Sequence, residues 1–245
     1  MTEGEYRRVL EQLAGKTRYL YHHVMGEPLV HPLLPRFIEL ACRAGFRPMI
    51  TTNGTLLSRF GDALLGTGLH KVNVSLHSFE NDRQDDHRRY IENIADFAEK
   101  ANREGIIVSL RLWNNGCDDG RNETALAVLR ERYSGPWAEN TRGYRIRDGL
   151  FLGWGDRFEW PDLKAPDYGE GVFCHGLRDH FGILCDGTVI PCCLDSNGVI
   201  ALGNVFREEL TDILDSPRAK AMTEGFCRRV ATEELCRRCG YARMF

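Results

Sequence analysis

No run of apolar residues in this 245-residue chain approaches the roughly 20 that cross a bilayer, which excludes a helical membrane span. A concentrated basic surface is missing too. The 32 Lys and Arg stand against 35 Asp and Glu, a formal net charge of -3, so nucleic-acid binding by phosphate neutralisation is not expected. The opening residues, Met1 to Gly15, are charged and amphipathic and lack the apolar segment of a secretory signal. A cytoplasmic location with reduced thiols is the expectation. Cysteine is scarce through most of the chain, with only Cys42 and Cys117 before residue 174.

The remaining seven cysteines crowd into the carboxyl end: Cys174, then Cys185-Asp-Gly-Thr-Val-Ile-Pro-Cys192-Cys193, then Cys227, then Cys236-Arg-Arg-Cys239. A Cys-x2-Cys pair meeting two distant thiolates supplies four soft ligands, and both an iron-sulfur cluster and a structural zinc take such a set. Spacing alone does not choose between them. The composition, with charged residues at 27% and hydrophobic ones at 42%, is that of a globular protein with room for one large domain and a small appendage.

Strand and helix alternate up to about Gly149. Strands are expected at Arg18 to Val24, Arg47 to Thr52, His70 to Leu76, Ile106 to Leu112 and Arg142 to Ile146. Helices are expected near Pro32 to Ala44, Thr55 to Leu65, Asp86 to Glu104 and Asn122 to Tyr133, with Gly45, Gly66 and Gly105 at their stops. A repeat of about 30 residues implies βαβ units around a parallel sheet. The chain opens on a helix, Glu3 to Ala14, with Tyr6, Val9, Leu10 and Leu13 on one face. In a parallel architecture such a helix follows a strand, and that first strand is missing. Phe151 to Trp160 reads as a hairpin or irregular strand closing the first domain, and Trp160 to Pro166 as a linker. Beyond it, Phe181 to Leu184 and Thr188 to Pro191 make a hairpin through Asp186-Gly187, followed by helices at Glu208 to Leu214 and Arg218 to Phe226.

Three successive strand ends carry polar or glycine residues: Gly26-Glu27-Pro28, Thr52-Asn53-Gly54 and Ser75 with His77. In parallel sheets ligands collect at such ends. Together with the run from Gly187 through Cys192 and Leu202-Gly203-Asn204 to Cys236-x2-Cys239, these motifs resemble the radical S-adenosylmethionine superfamily with a SPASM or twitch extension. The likeness covers nearly the whole chain. It implies a partial parallel (β/α) barrel missing its first strand over residues 1–160, and a small cysteine-rich α+β iron-sulfur domain over 161–245. It also implies that Gly26, Glu27 and Pro28 form the loop holding the methionine amino group. Asn53 would shape the same pocket, Ser75 would lie near the ribose, and Arg111 would pair with the methionine carboxylate. One auxiliary [4Fe-4S] cluster is implied on Cys174, Cys192, Cys236 and Cys239, with Cys193 an alternative to Cys192 and His175 a possible substitute ligand. Cys42, Cys117, Cys185 and Cys227 are expected as small buried hydrophobes. Arg228, Arg229, Arg237, Arg238 and Arg243 either offset the charge of the cluster or form a solvated basic face.

The family's Cys-x3-Cys-x2-Cys loop, which holds the cluster that cleaves S-adenosylmethionine, does not occur in the sequence. Its absence coincides with that of the first strand, and truncation at the amino terminus is the simplest expectation. Three functions follow. The complete form would be a radical enzyme acting on a peptide or small-molecule substrate, with an electron donor such as flavodoxin or ferredoxin, and this chain alone would be inactive in the cleavage step. Alternatively the chain is a non-catalytic electron-transfer or partner-docking protein, or a zinc-stabilised binding protein.

Overall fold

A computed structural model describes residues 1–79 and 84–244. The chain begins with α1 (Glu3–Leu13), whose start is fixed by a capping box: the Thr2 hydroxyl accepts from the Glu5 N–H, and the Glu5 carboxylate accepts from the Thr2 N–H. There follow β1 (Tyr19–Tyr21), α2 (Leu34–Arg43), β2 (Arg47–Thr52), α3 (Leu57–Phe60), β3 (Lys71–Ser75), α4 (Gln84–Arg103), β4 (Ile107–Asn115) and α5 (Arg121–Arg132). Three more strands come next, β5 (Ala138–Asn140), β6 (Gly143–Arg147) and β7 (Leu150–Asp156). The carboxyl region carries β8 (Gly182–Ile183), β9 (Thr188–Ile190), β10 (Gly203–Asn204), α6 (Leu210–Leu214), α7 (Pro217–Cys227) and α8 (Glu234–Arg237).

The described chain divides into two compact units. Thr17–Arg157 holds a seven-stranded sheet in the order β1-β2-β3-β4-β7-β6-β5, parallel from β1 through β7 and antiparallel beyond. The strand after α5 departs from expectation. The segment Arg142 to Ile146 does not continue the parallel series. It forms β6, an arm of an antiparallel meander, while β7 takes the place beside β4. The reason is burial: Leu150 and Leu152 are fully enclosed, whereas β6 buries only Ile146.

Side chains on the two faces of this sheet differ in character. Val72, Val74, Val108, Leu110, Leu112, Leu150 and Leu152 point to one face and share a core with Ile38 of α2, Ile91, Ile94 and Phe97 of α4, and Leu129 of α5. Strand pairing sets the alternate residues in rows on the other face: Tyr21, Met49, Lys71 and Ile107 in one, Thr51, Asn73, Ser109 and Phe151 in the next, then Ser75, Arg111 and Gly153. The architecture is a partial (β/α) barrel, apolar under its helices, with Thr51, Lys71, Asn73, Ser75 and Arg111 making the opposite face the more polar one despite Met49, Ile107 and Phe151.

The other unit comprises Met1–Lys16 and Phe158–Phe245. The helix α1 therefore goes with the carboxyl region, whereas the sequence assigned it to residues 1–160. Buried Gln12 ties it there, donating through Nε2 to the Glu208 carbonyl (3.3 Å) and accepting from the Leu210 N–H (2.9 Å). The rest of the unit is a three-stranded antiparallel sheet, β10-β9-β8, with α6, α7 and α8. No described helix is long and apolar enough to cross a membrane.

Candidate functional site

At the carboxyl ends of β1 and β2 the loops are braced by one carboxylate. Gly26, at φ +87°, turns the chain so that Glu27 folds back over the end of β2. Its Oε1 accepts from the Thr52 hydroxyl (2.8 Å) and the Leu29 N–H (3.0 Å), and its Oε2 from the Asn53 N–H (2.8 Å). A carboxylate has about four acceptor positions, and three are filled, so the side chain holds the loop together more than it offers itself to a ligand. Pro28 starts the short 3-10 turn that Glu27 caps. Asn53 is similarly occupied: its Oδ1 accepts from the Thr55 N–H (2.9 Å) and hydroxyl (2.7 Å). Tyr90, from α4, was not anticipated by sequence. Its hydroxyl donates to the Asn53 carbonyl and lies 3.2 Å from that of Ser75, joining the ends of β2 and β3. A tyrosine on an apolar helix face is the only available signal, since a buried phenol needs a partner.

Ser75 pairs in register with Arg111, and both are half-buried on the polar face. The Arg111 guanidinium stacks over the Trp113 ring at 4.6 Å. Burial pushes its pKa down to about 10, and among the described residues no carboxylate acts on it. His77 faces this strand, its Nδ1 3.2 Å from both the Arg111 carbonyl and the Trp113 nitrogen, and so ties the turn after β3 to β4 instead of projecting into solvent. His23 accepts from the Thr51 N–H through Nδ1 (3.1 Å), and burial, then Arg111, holds its pKa at about 4. The ring is neutral at physiological pH, and its proton sits on Nε2.

In the carboxyl unit three of the four expected ligands share one apolar environment, and Cys192 lies close enough to act on Cys236. Cys239 is buried among Val172, Ile200, Met222, Phe226, Ala231, Leu235 and Ala242, and Cys174 and Cys236 pack against the same cluster. Burial raises the pKa of all four thiols, that of Cys192 to about 12. They also bear on one another: Cys192, Cys174 and Cys239 all raise Cys236. Backbone N–H groups turn toward the sulfurs, that of Gly176 lying 3.3 Å from Cys174 Sγ. Among the described residues no three His, Cys, Asp or Glu side chains are grouped tightly enough for a single metal ion. Of the adjacent pair, Cys192 is half-buried and Cys193 exposed.

Several expectations for neighbouring residues are corrected. Cys117, Cys185 and Cys227 are exposed, because they sit in a loop, before a tight turn and at the end of α7. Cys42 is half-buried, its thiol 2.9 Å from the Gly68 carbonyl. The carboxyl-terminal arginines have other duties: Arg237 pairs with Asp167 (3.2 Å), Arg238 with Glu234 (3.0 Å), and Arg243 covers the Tyr168 ring. The cation bearing on Cys174 is Arg178, which the sequence did not single out, and it also binds Asp179. His175 is engaged by Asp179, Nδ1 to Oδ2 at 2.5 Å.

Residues 1–115 match the radical SAM superfamily, and residues 174–240 match SPASM, an iron-sulfur cluster-binding domain. GTP 3',8-cyclase of Chlorobaculum tepidum is 37% identical over 81 residues, 32% of this chain and 24% of that protein. The Alkaliphilus oremlandii enzyme of the same name is 42% identical over 60 residues, 24% of this chain and 19% of that protein. The matched segments thus span a quarter or less of these relatives. Among solved structures, BtrN in an open conformation superposes with a TM-score of 0.58 at 17% identity, over 98% of this chain and 79% of that one. Native anSMEcpe with bound AdoMet gives 0.56 at 12% identity, over 98% and 79%. At these identities the structures speak for the fold alone.

Proposed function

The chain belongs to the radical S-adenosylmethionine superfamily and carries a SPASM iron-sulfur domain, and from that premise we propose that Cys174, Cys192, Cys236 and Cys239 hold one auxiliary [4Fe-4S] cluster while the polar face of the parallel sheet receives S-adenosylmethionine. The observation that carries the cluster reading is the gathering of Cys174, Cys236 and Cys239 about one apolar cluster, with Cys192 near enough to act on the Cys236 thiol. Zinc draws its four sulfurs to about 3.8 Å of one another, given Zn–S bonds of about 2.3 Å, whereas a four-iron cube spreads its ligands more widely. The match of residues 174–240 to an iron-sulfur cluster-binding domain favours the cube. Apolar walls and sulfur-directed N–H groups suit its charge and potential.

On the sheet, Arg111 is the residue whose surroundings best suit the cofactor. A half-buried guanidinium with no counter-charge among the described residues is completed by a carboxylate, such as that of methionine. The Gly26-Glu27-Pro28 loop would present backbone groups to the methionine amine, with Glu27 fixing the loop, Asn53 and Tyr90 setting its neighbour, and Ser75 at the ribose. Bound and reduced by one electron, S-adenosylmethionine supplies a 5'-deoxyadenosyl radical that removes a hydrogen atom from substrate. The Cys-x3-Cys-x2-Cys triplet associated with that reduction is not in the sequence. The substrate is a peptide or a small molecule.

Anaerobic reconstitution with iron and sulfide tests this. About four irons and four sulfides per chain are expected, as one [4Fe-4S] cluster requires, with both lost in Cys236→Ala and retained in Cys227→Ala. The reconstituted chain should form no 5'-deoxyadenosine from S-adenosylmethionine. Stoichiometric zinc without sulfide would overturn the cluster reading.

A further inference from the structure

Lys71 stands on the polar face of the sheet with no described carboxylate to neutralise it. Strand register sets it between Met49 and Ile107, in the row that Tyr21 begins and one row from His23, Thr51 and Asn73. It is half-buried, makes no ion pair among the described residues, and its pKa is lowered by burial and then by the charge of Arg111. Arg111 in turn has an aromatic ring and a phenol near it. This contrasts with surface lysines of the same chain, Lys100 on Asp62 (2.9 Å) and Lys220 on Asp215 (3.1 Å). Two mutually repelling cations held partly out of water are costly unless an anion completes the site.

The other groups on the face are suited to the same guest. His23 is neutral, its Nδ1 already used, so Nε2 presents an N–H donor. Asn73 is almost fully buried and gives its amide N–H groups to the Ile50 carbonyl (3.3 Å) and the Thr51 hydroxyl (3.2 Å). The Glu27 carboxylate, at the carboxyl ends of β1 and β2, is taken up by Thr52, Asn53 and Leu29. One cofactor carboxylate satisfies one cation, and there are two.

We propose that Lys71 receives an oxyanion of the substrate, a phosphate or a carboxylate, on the same sheet face where Arg111 receives the cofactor. The inference rests on the preceding reading for the role of Arg111 and adds the chemical class of the substrate.

Calorimetric titration of the full chain with inorganic pyrophosphate and, separately, malonate tests it, in the presence and absence of S-adenosylhomocysteine. Wild type is expected to bind at least one oxyanion with S-adenosylhomocysteine already bound, and Lys71→Met to weaken it by about tenfold or more, the loss of one charge-assisted contact. Lys71→Arg should retain binding, and Lys100→Met should match wild type. Binding of pyrophosphate alone assigns a phosphate, and of malonate alone a carboxylate. Equal affinity in wild type and Lys71→Met, or no binding, overturns the proposal. So does competition between oxyanion and S-adenosylhomocysteine, which would give Lys71 to the cofactor. Failure of S-adenosylhomocysteine to bind counts against the cofactor reading, while the Lys71 dependence still decides this one. Should Lys71→Met not fold, the unmutated protein decides the matter: bound oxyanion should protect Lys71 from reductive methylation, read by mass spectrometry, and equal labelling with and without it overturns the proposal.

Discussion

Tyr90 reaches from a helix to the carbonyls of Asn53 and Ser75, and a single hydroxyl thereby sets the spacing of two strand ends. Burial raises its pKa, with Glu27 adding to the effect, so the phenol remains a donor throughout the working range. Tyr90→Phe leaves buried carbonyl oxygens without their donor, a cost of about 1–3 kcal/mol, to be read as a lower urea midpoint. If the strand ends form the cofactor pocket, affinity for S-adenosylhomocysteine should fall with it. An unchanged affinity in the folded variant would show that the loop after β2 keeps its shape through Glu27 alone.

Among the elements, the β8–β9 hairpin has the most sharply defined requirement. Gly187 lies at φ +87°, and a Cβ there would fall 2.5 Å from Phe206 Cδ2 and 2.7 Å from Asn204 Oδ1. Gly187→Ala is expected to cost on the order of 1–3 kcal/mol and to lower the iron content, because Cys192 follows directly from this hairpin. Gly4→Ala is the control: it lies within α1 with nothing in its way, and should be neutral or slightly stabilising. The Asp186-Gly187 turn was legible because its chemistry is local. So were β2, found at Arg47–Thr52 as expected, and β3, β4 and α2 within a few residues, since periodicity records which face is covered. What could not be read is non-local. The partner of β7 depends on which leucines the helices enclose, and the bond from Gln12 to Leu210 joins residues 198 apart. The same applies to the site. The strand-end motifs announced themselves, but Lys71 becomes notable only once register sets it on the face shared with Arg111 and no described carboxylate arrives.

For the whole molecule, each unit has a core cluster of its own. The cluster of Leu29 through Leu152 lies within Thr17–Arg157, and that of Val172 through Ala242 within the other unit. Only the second contains thiols proposed for the iron-sulfur site, so on that proposal bound iron would add folding free energy to one unit and not to the other. Loading the site requires thiolates, yet burial holds these thiols protonated in the free chain, so cluster assembly must release protons and stripping it must take them back. Hydrogen exchange on the reconstituted protein before and after chelation should therefore show faster exchange in β9, α7 and α8. The amides of β2, β3 and β4 should be unchanged, because their hydrogen bonds and the valines and leucines beneath them include no cluster ligand. Equal loosening of both units, or no change in either, would mean that these four thiols do not carry the metal, since their loss could not then be confined to the core they share.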